Sequence, residues 1–221
     1  MKKPVVALAV AALTLMNQTA FGAPILHTSD FIATGDRTNF VDFESIGNTS
    51  SFGNTFTQNG VTVTQVNGEV NDIWTTCSSC WLSNTSLSWY PNGGDAGWTE
   101  ITMTDSSDFF NIGLDLGSGY GPGSRSVLYE VLNNGVSLLF GSITTPSNAD
   151  GYIGFSGGGF DQVRLRNTSG GGNFGDGAIN ALAIDNVELS GNTNQVPEPA
   201  SLALLGLGLA GLTFSRRKIK V

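Results

Sequence analysis

The sequence predicts an all-β fold, built as an antiparallel two-sheet β-sandwich. Between the two ends of the 221-residue chain, short β-branched and aromatic runs alternate with clusters of Gly, Asn, Asp and Ser. No stretch between the ends has a convincing helical period, so the runs indicate strands separated by turns. Nine strands fit two sheets packed face to face. The predicted strands are residues 40–43, 61–66, 98–103, 109–116, 126–132, 136–143, 152–155, 160–165 and 179–189.

The N-terminus has the layout of a secretory signal peptide, predicted to span residues 1–22. Two lysines precede an apolar run at 5–16, and small residues follow at 19–23. This order is typical of a segment that the secretion machinery recognises and signal peptidase removes. A buried N-terminal helix would instead need amphipathic spacing and a cap, and neither is present. The folded domain is therefore predicted to span residues 23–194.

The two cysteines of the chain, Cys77 and Cys80, stand in the sequence Cys-Ser-Ser-Cys. In an exported protein this pair predicts a small structural disulfide. A thioredoxin-like redox site would need a helix start within a βαβ unit, whereas the flanking sequence is β-rich. A haem attachment would need His where Trp81 stands, and a four-cysteine zinc site lacks its second pair.

Aromatic residues concentrate around the cysteine pair. These are Trp74, Trp81, Trp89, Tyr90 and Trp98. Exposed rings of this kind stack on sugar faces, so they are candidate glycan-binding residues. In a sandwich, tryptophans also fill the core, because each one buries a large apolar area. The sequence favours core packing and leaves the binding platform as the alternative.

One hairpin is predicted residue by residue. Apolar strands flank the tripeptide Asn133-Asn134-Gly135, whose residues tolerate the positive φ of tight hairpin turns. Farther along, Val163 and Leu165 alternate with arginines, which predicts a strand with one buried and one solvated face.

Glycine-rich stretches at 117–123, 157–159 and 170–177 are predicted loops. The last stretch contains Gly-x-Gly-x-x-Gly at 170–175. A dinucleotide-binding loop follows a strand and opens a helix, and here another β-like run follows. Nucleotide binding is therefore not predicted.

The net charge of the whole chain is −8, but its basic residues cluster at the two ends. Residues 23–196 contain 17 acidic and four basic residues, a net charge of −13, and no lysine. Such a surface repels nucleic acid and lacks the basic patch that phosphates require, which excludes a nucleic-acid partner. The same density of carboxylates makes bound calcium an option.

Catalytic signals are weak. The single histidine, His27, lies close to the mature N-terminus, where a Ser-His-Asp arrangement would have little support. A glycosidase that uses two carboxylates remains an alternative, because no sequence spacing fixes the distance between two acidic side chains. The chain is predicted not to be an enzyme, with a glycoside-active enzyme as the weaker alternative.

The C-terminal 27 residues combine three elements in a fixed order. Pro197-Glu198-Pro199 comes first, and its prolines stop strand pairing and keep the chain extended. Residues 200–215 are almost wholly apolar and predict a single transmembrane helix about 24 Å long, slightly short for a bilayer of about 30 Å. The basic residues Arg216, Arg217 and Lys218 follow within the tail 216–221, and the positive-inside bias keeps them cytoplasmic.

Residues 195–221 closely resemble the PEP-CTERM sorting signal: the Pro-Glu-Pro motif at 197–199, a short apolar helix containing Gly206, Gly208 and Gly211, and an arginine-rich end. The resemblance implies an exosortase as partner and cleavage near 197–199. It also implies transient anchoring in the inner membrane, followed by release or transfer to the cell surface or extracellular matrix. The catalytic residues of that reaction belong to the exosortase.

A second resemblance lies in the predicted closing strands. Residues 159–165 and 183–189 look like the closing strands of β-sandwich domains of PEP-CTERM proteins, and similar endings occur in jelly-roll carbohydrate-binding modules. In some of those modules an acidic residue on the first strand and an Asp of the closing strand hold structural calcium. The counterparts here would be Glu44 or Asp42, together with Asp185, and the alternative is that these carboxylates cap turns or face solvent.

The sequence therefore predicts an exported surface or matrix protein with a non-catalytic role associated with exopolysaccharide or biofilm. The alternative is a carbohydrate-binding module that uses the tryptophan-rich region at 74–98.

Overall fold

The computed structural model describes residues 22–47, 53–66, 86–89, 97–117, 124, 126–145, 151–167 and 182–191. The predicted transmembrane helix and most of the predicted signal peptide lie outside these ranges. Eleven strands are described: β1 Ile25–His27, β2 Asn39–Val41, β3 Thr55–Gln58, β4 Val61–Val66, β5 Trp98–Met103, β6 Phe109–Gly117, β7 Ser126–Asn133, β8 Val136–Thr144, β9 Gly151–Phe160, β10 Gln162–Asn167 and β11 Ala183–Ser190. Single-turn 3-10 helices follow β1 at Thr34–Asp36 and β2 at Glu44–Ile46.

The strands form two sheets, which confirms the predicted all-β, two-sheet class. One sheet has five strands in the order β1-β9-β6-β11-β2, and the other has six in the order β3-β4-β5-β10-β7-β8. Every pairing between named strands is antiparallel. In the part of the chain that the structure describes, no helix is long and apolar enough to span a membrane.

The core lies between the two sheets. Alternate residues of the strands contribute its side chains. In β4, Val61 and Val63 are fully buried while Thr62 and Thr64 face outward. Because successive side chains in a strand point to opposite faces, this pattern buries one face of each sheet. Large buried side chains fill the interior, among them Phe43, Trp89, Ile101, Leu116, Phe155, Phe160 and Leu165.

The hairpin between β7 and β8 has the predicted turn. Asn134 and Gly135 both have positive φ, at 49° and 74°, as a tight two-residue hairpin turn requires. The carboxylate of Asp161 accepts a hydrogen bond of 2.8 Å from the backbone N–H of Asn134. This bond ties the turn to the connection between β9 and β10.

Several predictions of local structure were wrong. Gly117, predicted to begin a loop, is the last residue of β6, and Phe160, predicted to begin a strand, is the last residue of β9. Strands β1 and β3 were missed, because three or four residues are too few to show a period. Residues 157–159 are not a loop but part of β9, where Gly157 takes φ 99° beside a shift in the register with β6. A bulge of this kind suits glycine because it lacks a Cβ. Phe43 lies outside β2, with φ 57° at the start of a 3-10 turn.

Candidate functional site

The outward face of the six-stranded sheet carries one continuous row of paired residues, called here the charged rung. The strand register joins one residue from each of the six strands. The members, from β3 to β8, are Thr55, Thr64, Glu100, Arg164, Glu130 and Phe140. Neighbouring strands lie about 4.8 Å apart, so the rung extends roughly 24 Å across the sheet.

Alternation in the central strands explains why these side chains face outward. In β5, Thr99 and Ile101 are buried, and Glu100 between them is not. In β10, Val163 and Leu165 are buried in the core, and Arg164 between them points the other way. The sequence had predicted this solvated face of β10.

Arg164 is the centre of the charged rung. Its Nε and Nη2 donate to Oε2 of Glu130 at 2.8 and 2.6 Å, and its Nη1 lies 3.8 Å from Oε1 of Glu100. The guanidinium is therefore held between carboxylates from the two flanking strands. Such cross-strand pairs of opposite charge stabilise a sheet.

The pKa values of the two carboxylates beside Arg164 are shifted in opposite directions. Burial alone would raise the pKa of Glu130, but hydrogen bonds from Ser137 and Arg164, with the charge of Arg164, bring that pKa below its usual value. Burial raises the pKa of Glu100, and the more distant Arg164 and a hydrogen bond from Gln162 do not compensate. The hydrogen bonds from Ser137 and Arg164 and the charge of Arg164 therefore outweigh burial at Glu130, whereas burial dominates at Glu100.

Trp98 flanks the charged rung on β5, and two arginines lie over its ring. The guanidinium carbon of Arg164 is 4.6 Å from the ring centroid and that of Arg166 is 4.8 Å away. Contacts of this kind are cation–π interactions, which fix the ring against the sheet. At the β8 end of the charged rung, Phe140 is 58% exposed.

Trp89 lies in a different environment. Its side chain is fully buried and packs near Phe43, with ring centroids 6.0 Å apart. Its backbone exchanges two hydrogen bonds with Ile184, at 2.9 and 3.0 Å. Trp89 therefore fills the core and presents no ring to solvent. Of the other candidate glycan-binding residues, Trp74, Trp81 and Tyr90 lie outside the described residues, as do Cys77 and Cys80.

Glu44 and Asp185, the candidate calcium ligands, both contact the segment that leads to Trp89. Oε1 of Glu44 accepts a 2.7 Å hydrogen bond from the N–H of Leu87, and Oδ2 of Asp185 accepts one from the hydroxyl of Ser86. Within the described ranges, no group of three or more His, Cys, Asp or Glu side chains has the arrangement of a metal site. Calcium binding stays a prediction.

Another polar cluster, on the outer side of the five-stranded sheet, was missed by sequence reasoning. Nε of Arg37 lies 2.5 Å from Oε2 of Glu188, and the hydroxyl of Tyr152 donates to Oε1 of Glu188 at 3.0 Å. Burial raises the pKa of Glu188, and burial together with the Glu188 carboxylate raises that of Tyr152. These residues are far apart in the sequence and lie on separate elements, so no local pattern signals that they meet.

His27 is paired with Ser156, because its Nε2 lies 2.7 Å from the serine Oγ. The imidazole stacks on Phe31 with centroids 3.9 Å apart, and burial lowers its pKa. Among the described residues, no carboxylate contacts the other ring nitrogen. The bond joins β1 to β9.

The sorting residues Pro197, Glu198, Pro199, Arg216, Arg217 and Lys218 lie outside the described ranges. Residues 195–218 nevertheless match the family model of the PEP-CTERM protein-sorting motif, which confirms the resemblance found in the sequence. The comparison with curated proteins gave no match.

Among solved structures, the chain is similar at low sequence identity to several carbohydrate-binding modules, including the three that follow. A family 29 module shares 15% identity with a TM-score of 0.39, over 74% of this chain and 97% of that one. CBM29_1 from Piromyces equi shares 11% with a TM-score of 0.35, over 71% and 93%. A family 11 module from Clostridium thermocellum, in complex with a β-1,3-1,4-mixed-linked tetrasaccharide, shares 14% with a TM-score of 0.27, over 75% and 95%.

Proposed function

We propose that this chain, which carries the PEP-CTERM sorting motif, is an exported surface protein whose β-sandwich binds glycan and catalyses no reaction. The glycan belongs to the exopolysaccharide or biofilm matrix around the cell. An exosortase processes the C-terminus, and the outer face of the six-stranded sheet then attaches to the matrix.

The sorting part of the proposal is supported by the order of elements at the C-terminus. The motif at 195–218 places the Pro-Glu-Pro sequence before an apolar segment and a basic end. A basic end resists crossing the membrane, so the acidic domain is left on the outer side. The extended prolines keep the intervening peptide accessible to a membrane enzyme.

The charged rung is the observation that carries the glycan-binding part. A sugar ring has hydroxyl groups that both donate and accept, and apolar faces that pack on aromatic rings. The rung and its flank offer both kinds of partner: the Glu130 and Glu100 carboxylates with the Arg164 guanidinium, and the rings of Trp98 and Phe140. A row about 24 Å long accommodates several sugar units.

Preorganisation also favours this face as a binding surface. The salt bridge holds Arg164, and the two guanidinium groups hold Trp98. Side chains that are already fixed lose little conformational entropy when a ligand binds, so a larger part of the contact energy appears as affinity.

Retention of the full-length chain on the host's own exopolysaccharide tests the glycan-binding part. Trp98→Ala and Phe140→Ala are expected to weaken retention about tenfold each, equivalent to roughly 1.4 kcal/mol. Ile25→Ala is a matched control, because Ile25 has the same 58% exposure as Phe140 but lies on the other sheet. Absence of retention, or unchanged retention of a folded Trp98→Ala variant, would overturn the proposal.

Mass spectrometry of the mature C-terminus tests the sorting part. The surface form is expected to end near residues 197–199 and to lack the apolar segment at 200–215. A Glu198→Ala variant is expected to keep its C-terminus and to accumulate in the inner membrane. A surface form that still ends at Val221 would rule out exosortase processing.

A further inference from the structure

We propose that the glycan bound on the outer face of the six-stranded sheet is acidic, and that Arg166 pairs with its carboxylate or sulfate group. The inference rests on the proposed glycan-binding function and names the class of ligand. The ligand carries scattered acidic sugars among neutral ones, for the reasons that follow.

Arg166 differs from the other described arginines in having no acidic partner. Arg37 pairs with Glu188, and Arg164 is held by Glu130 and Glu100. Arg166 forms no ion pair with any residue that the structure describes, and its buried Nε has no hydrogen-bond partner. Because no carboxylate of a described residue pairs with it, the Arg166 guanidinium is available to an anionic ligand.

The surroundings of Arg166 strengthen its attraction for an anion. Its side chain lies against the ring of Trp98, and its cross-strand neighbour on β7 is Leu128. These apolar neighbours exclude water from one side of the guanidinium, and a charge pair is stronger where water is excluded. The planar guanidinium also matches the two oxygens of a carboxylate or sulfate, which a point charge does not.

On the outer face of the six-stranded sheet, the charged rung and the neighbouring position of Arg166 differ in charge. This difference predicts where the ligand carries its acidic sugars. The charged rung places one arginine between two glutamates, so it suits neutral sugars with hydroxyl groups. The adjacent position at Arg166 suits an anion. A glycan that lies across both rows therefore presents an acidic unit at Arg166 and neutral units beside it.

The overall charge of the domain excludes a fully charged polymer. The net charge of −13 in residues 23–196 repels polyanions at long range. Salt at 0.15 M screens this repulsion beyond about 8 Å but leaves a direct contact largely intact. Sparse acidic groups therefore gain the contact with Arg166 without the repulsion that a continuous polyanion suffers.

The test compares one polymer in two forms: glucuronoxylan, which has scattered glucuronate groups, and the same polymer after its carboxylates are reduced to alcohols. Affinities of the full-length chain are measured at 0.15 M salt without divalent cations, because calcium bridges carboxylates nonspecifically. The acidic form is expected to bind at least about tenfold more tightly than the reduced form, equivalent to roughly 1.4 kcal/mol.

Variants assign that preference to Arg166. Arg166→Gln is expected to bring the ratio of the two affinities close to one, and Arg166→Lys is expected to give an intermediate ratio. Ala33→Glu changes the net charge by the same single unit at an exposed position directly before the 3-10 turn Thr34–Asp36. This variant is expected to keep the ratio of the two affinities. Circular dichroism and thermal unfolding establish that each variant is folded.

The outcomes separate this inference from the proposed function. Equal binding of both polymer forms by the unmodified chain would overturn the acidic-ligand inference and leave glycan binding intact. A preference that persists in Arg166→Gln would overturn the role of Arg166. Failure to bind either form, or the host exopolysaccharide, would overturn glycan binding itself.

Discussion

Arg164 donates two hydrogen bonds to a single oxygen of Glu130, from Nε at 2.8 Å and from Nη2 at 2.6 Å. The two residues lie directly opposite each other on β10 and β7. Glu100 lies opposite Arg164 on β5, but its Oε1 is 3.8 Å from Nη1 of Arg164. One arginine thus has a close and a distant carboxylate, and the contribution of each can be measured separately.

Glu130→Gln is expected to lower the free energy of unfolding by about 1 kcal/mol, because it removes a partly exposed charge-assisted pair. Glu100→Gln is the matched control and is expected to change stability by less than half as much. Urea unfolding at pH 7 measures both. Equal losses in the two variants would show that the closer contact has no special weight.

The pH dependence of Glu130 has a defined sign. Its pKa is lowered in the folded state, so its contribution is complete above the unfolded value near 4.5 and is lost as the pH falls through the folded value. The destabilisation caused by Glu130→Gln is therefore expected to shrink between about pH 5 and pH 3. A constant difference over that range would contradict the ion pair.

His27 gives a second pH-dependent prediction, on the other sheet. Burial lowers its pKa below the reference value of 6.5, so folding favours the neutral imidazole. Stability is therefore expected to fall as the pH drops below about 6.5 towards the folded pKa. His27→Gln should remove this loss between pH 7 and pH 5. Because His27 is the only histidine in the chain, its NMR titration gives the folded pKa without assignment.

How far the sequence predicted this molecule depends on the length of each pattern. Strands β4 and β5 agree with their predicted limits, because six residues of β-branched and apolar sequence give a clear signal. The two-residue turn before β8 was also predicted, since Asn134 and Gly135 tolerate positive φ. The short strands β1 and β3 and the glycine-containing bulge in β9 gave no usable pattern.

The candidate site was only partly predictable. The outward arginines of β10 and the aromatic Trp98 were identified, but the charged rung depends on strand order. In the sheet, β10 lies between β5 and β7, and this arrangement is not sequential. Glu100 and Glu130 therefore flank Arg164 only after long-range pairing has formed. The register of such pairs is set by the packing of both sheets rather than by local sequence.

Gly113 tests the cluster around Glu188. A Cβ at this position would overlap the hydroxyl of Tyr152 and lie 3.0 Å from Oε1 of Glu188. Gly113→Ala is expected to cost about 1–3 kcal/mol, the usual effect of overpacking. Gly35→Ala is the control, because no atom outside its own short segment lies within 4 Å of the added Cβ. Combining Gly113→Ala with Tyr152→Phe should recover part of the loss, and a double variant with no recovery would place the clash elsewhere.

The predicted calcium site is tested through stability. Calcium that binds only the folded chain at 100 times its dissociation constant would raise the free energy of unfolding by about 2.7 kcal/mol. Chelation is therefore expected to lower the melting temperature, and Asp185→Asn should abolish the response. If excess calcium and chelator give the same melting temperature, the contacts of Glu44 with Leu87 and of Asp185 with Ser86 anchor this region without metal.

The two described tryptophans are expected to respond oppositely to truncation. Trp89 is fully buried beside Phe43, so Trp89→Ala leaves a large cavity and should cost about 3–5 kcal/mol of stability. Trp98 is half-buried and lies under two arginines, so Trp98→Ala should cost only about 1 kcal/mol of stability while it weakens glycan retention about tenfold. Unfolding and retention are measured on both proteins, with Trp89→Phe as a milder core change that should keep retention. If Trp98→Ala destabilises the fold as much as Trp89→Ala, Trp98 is a structural residue, and the binding face must be sought elsewhere.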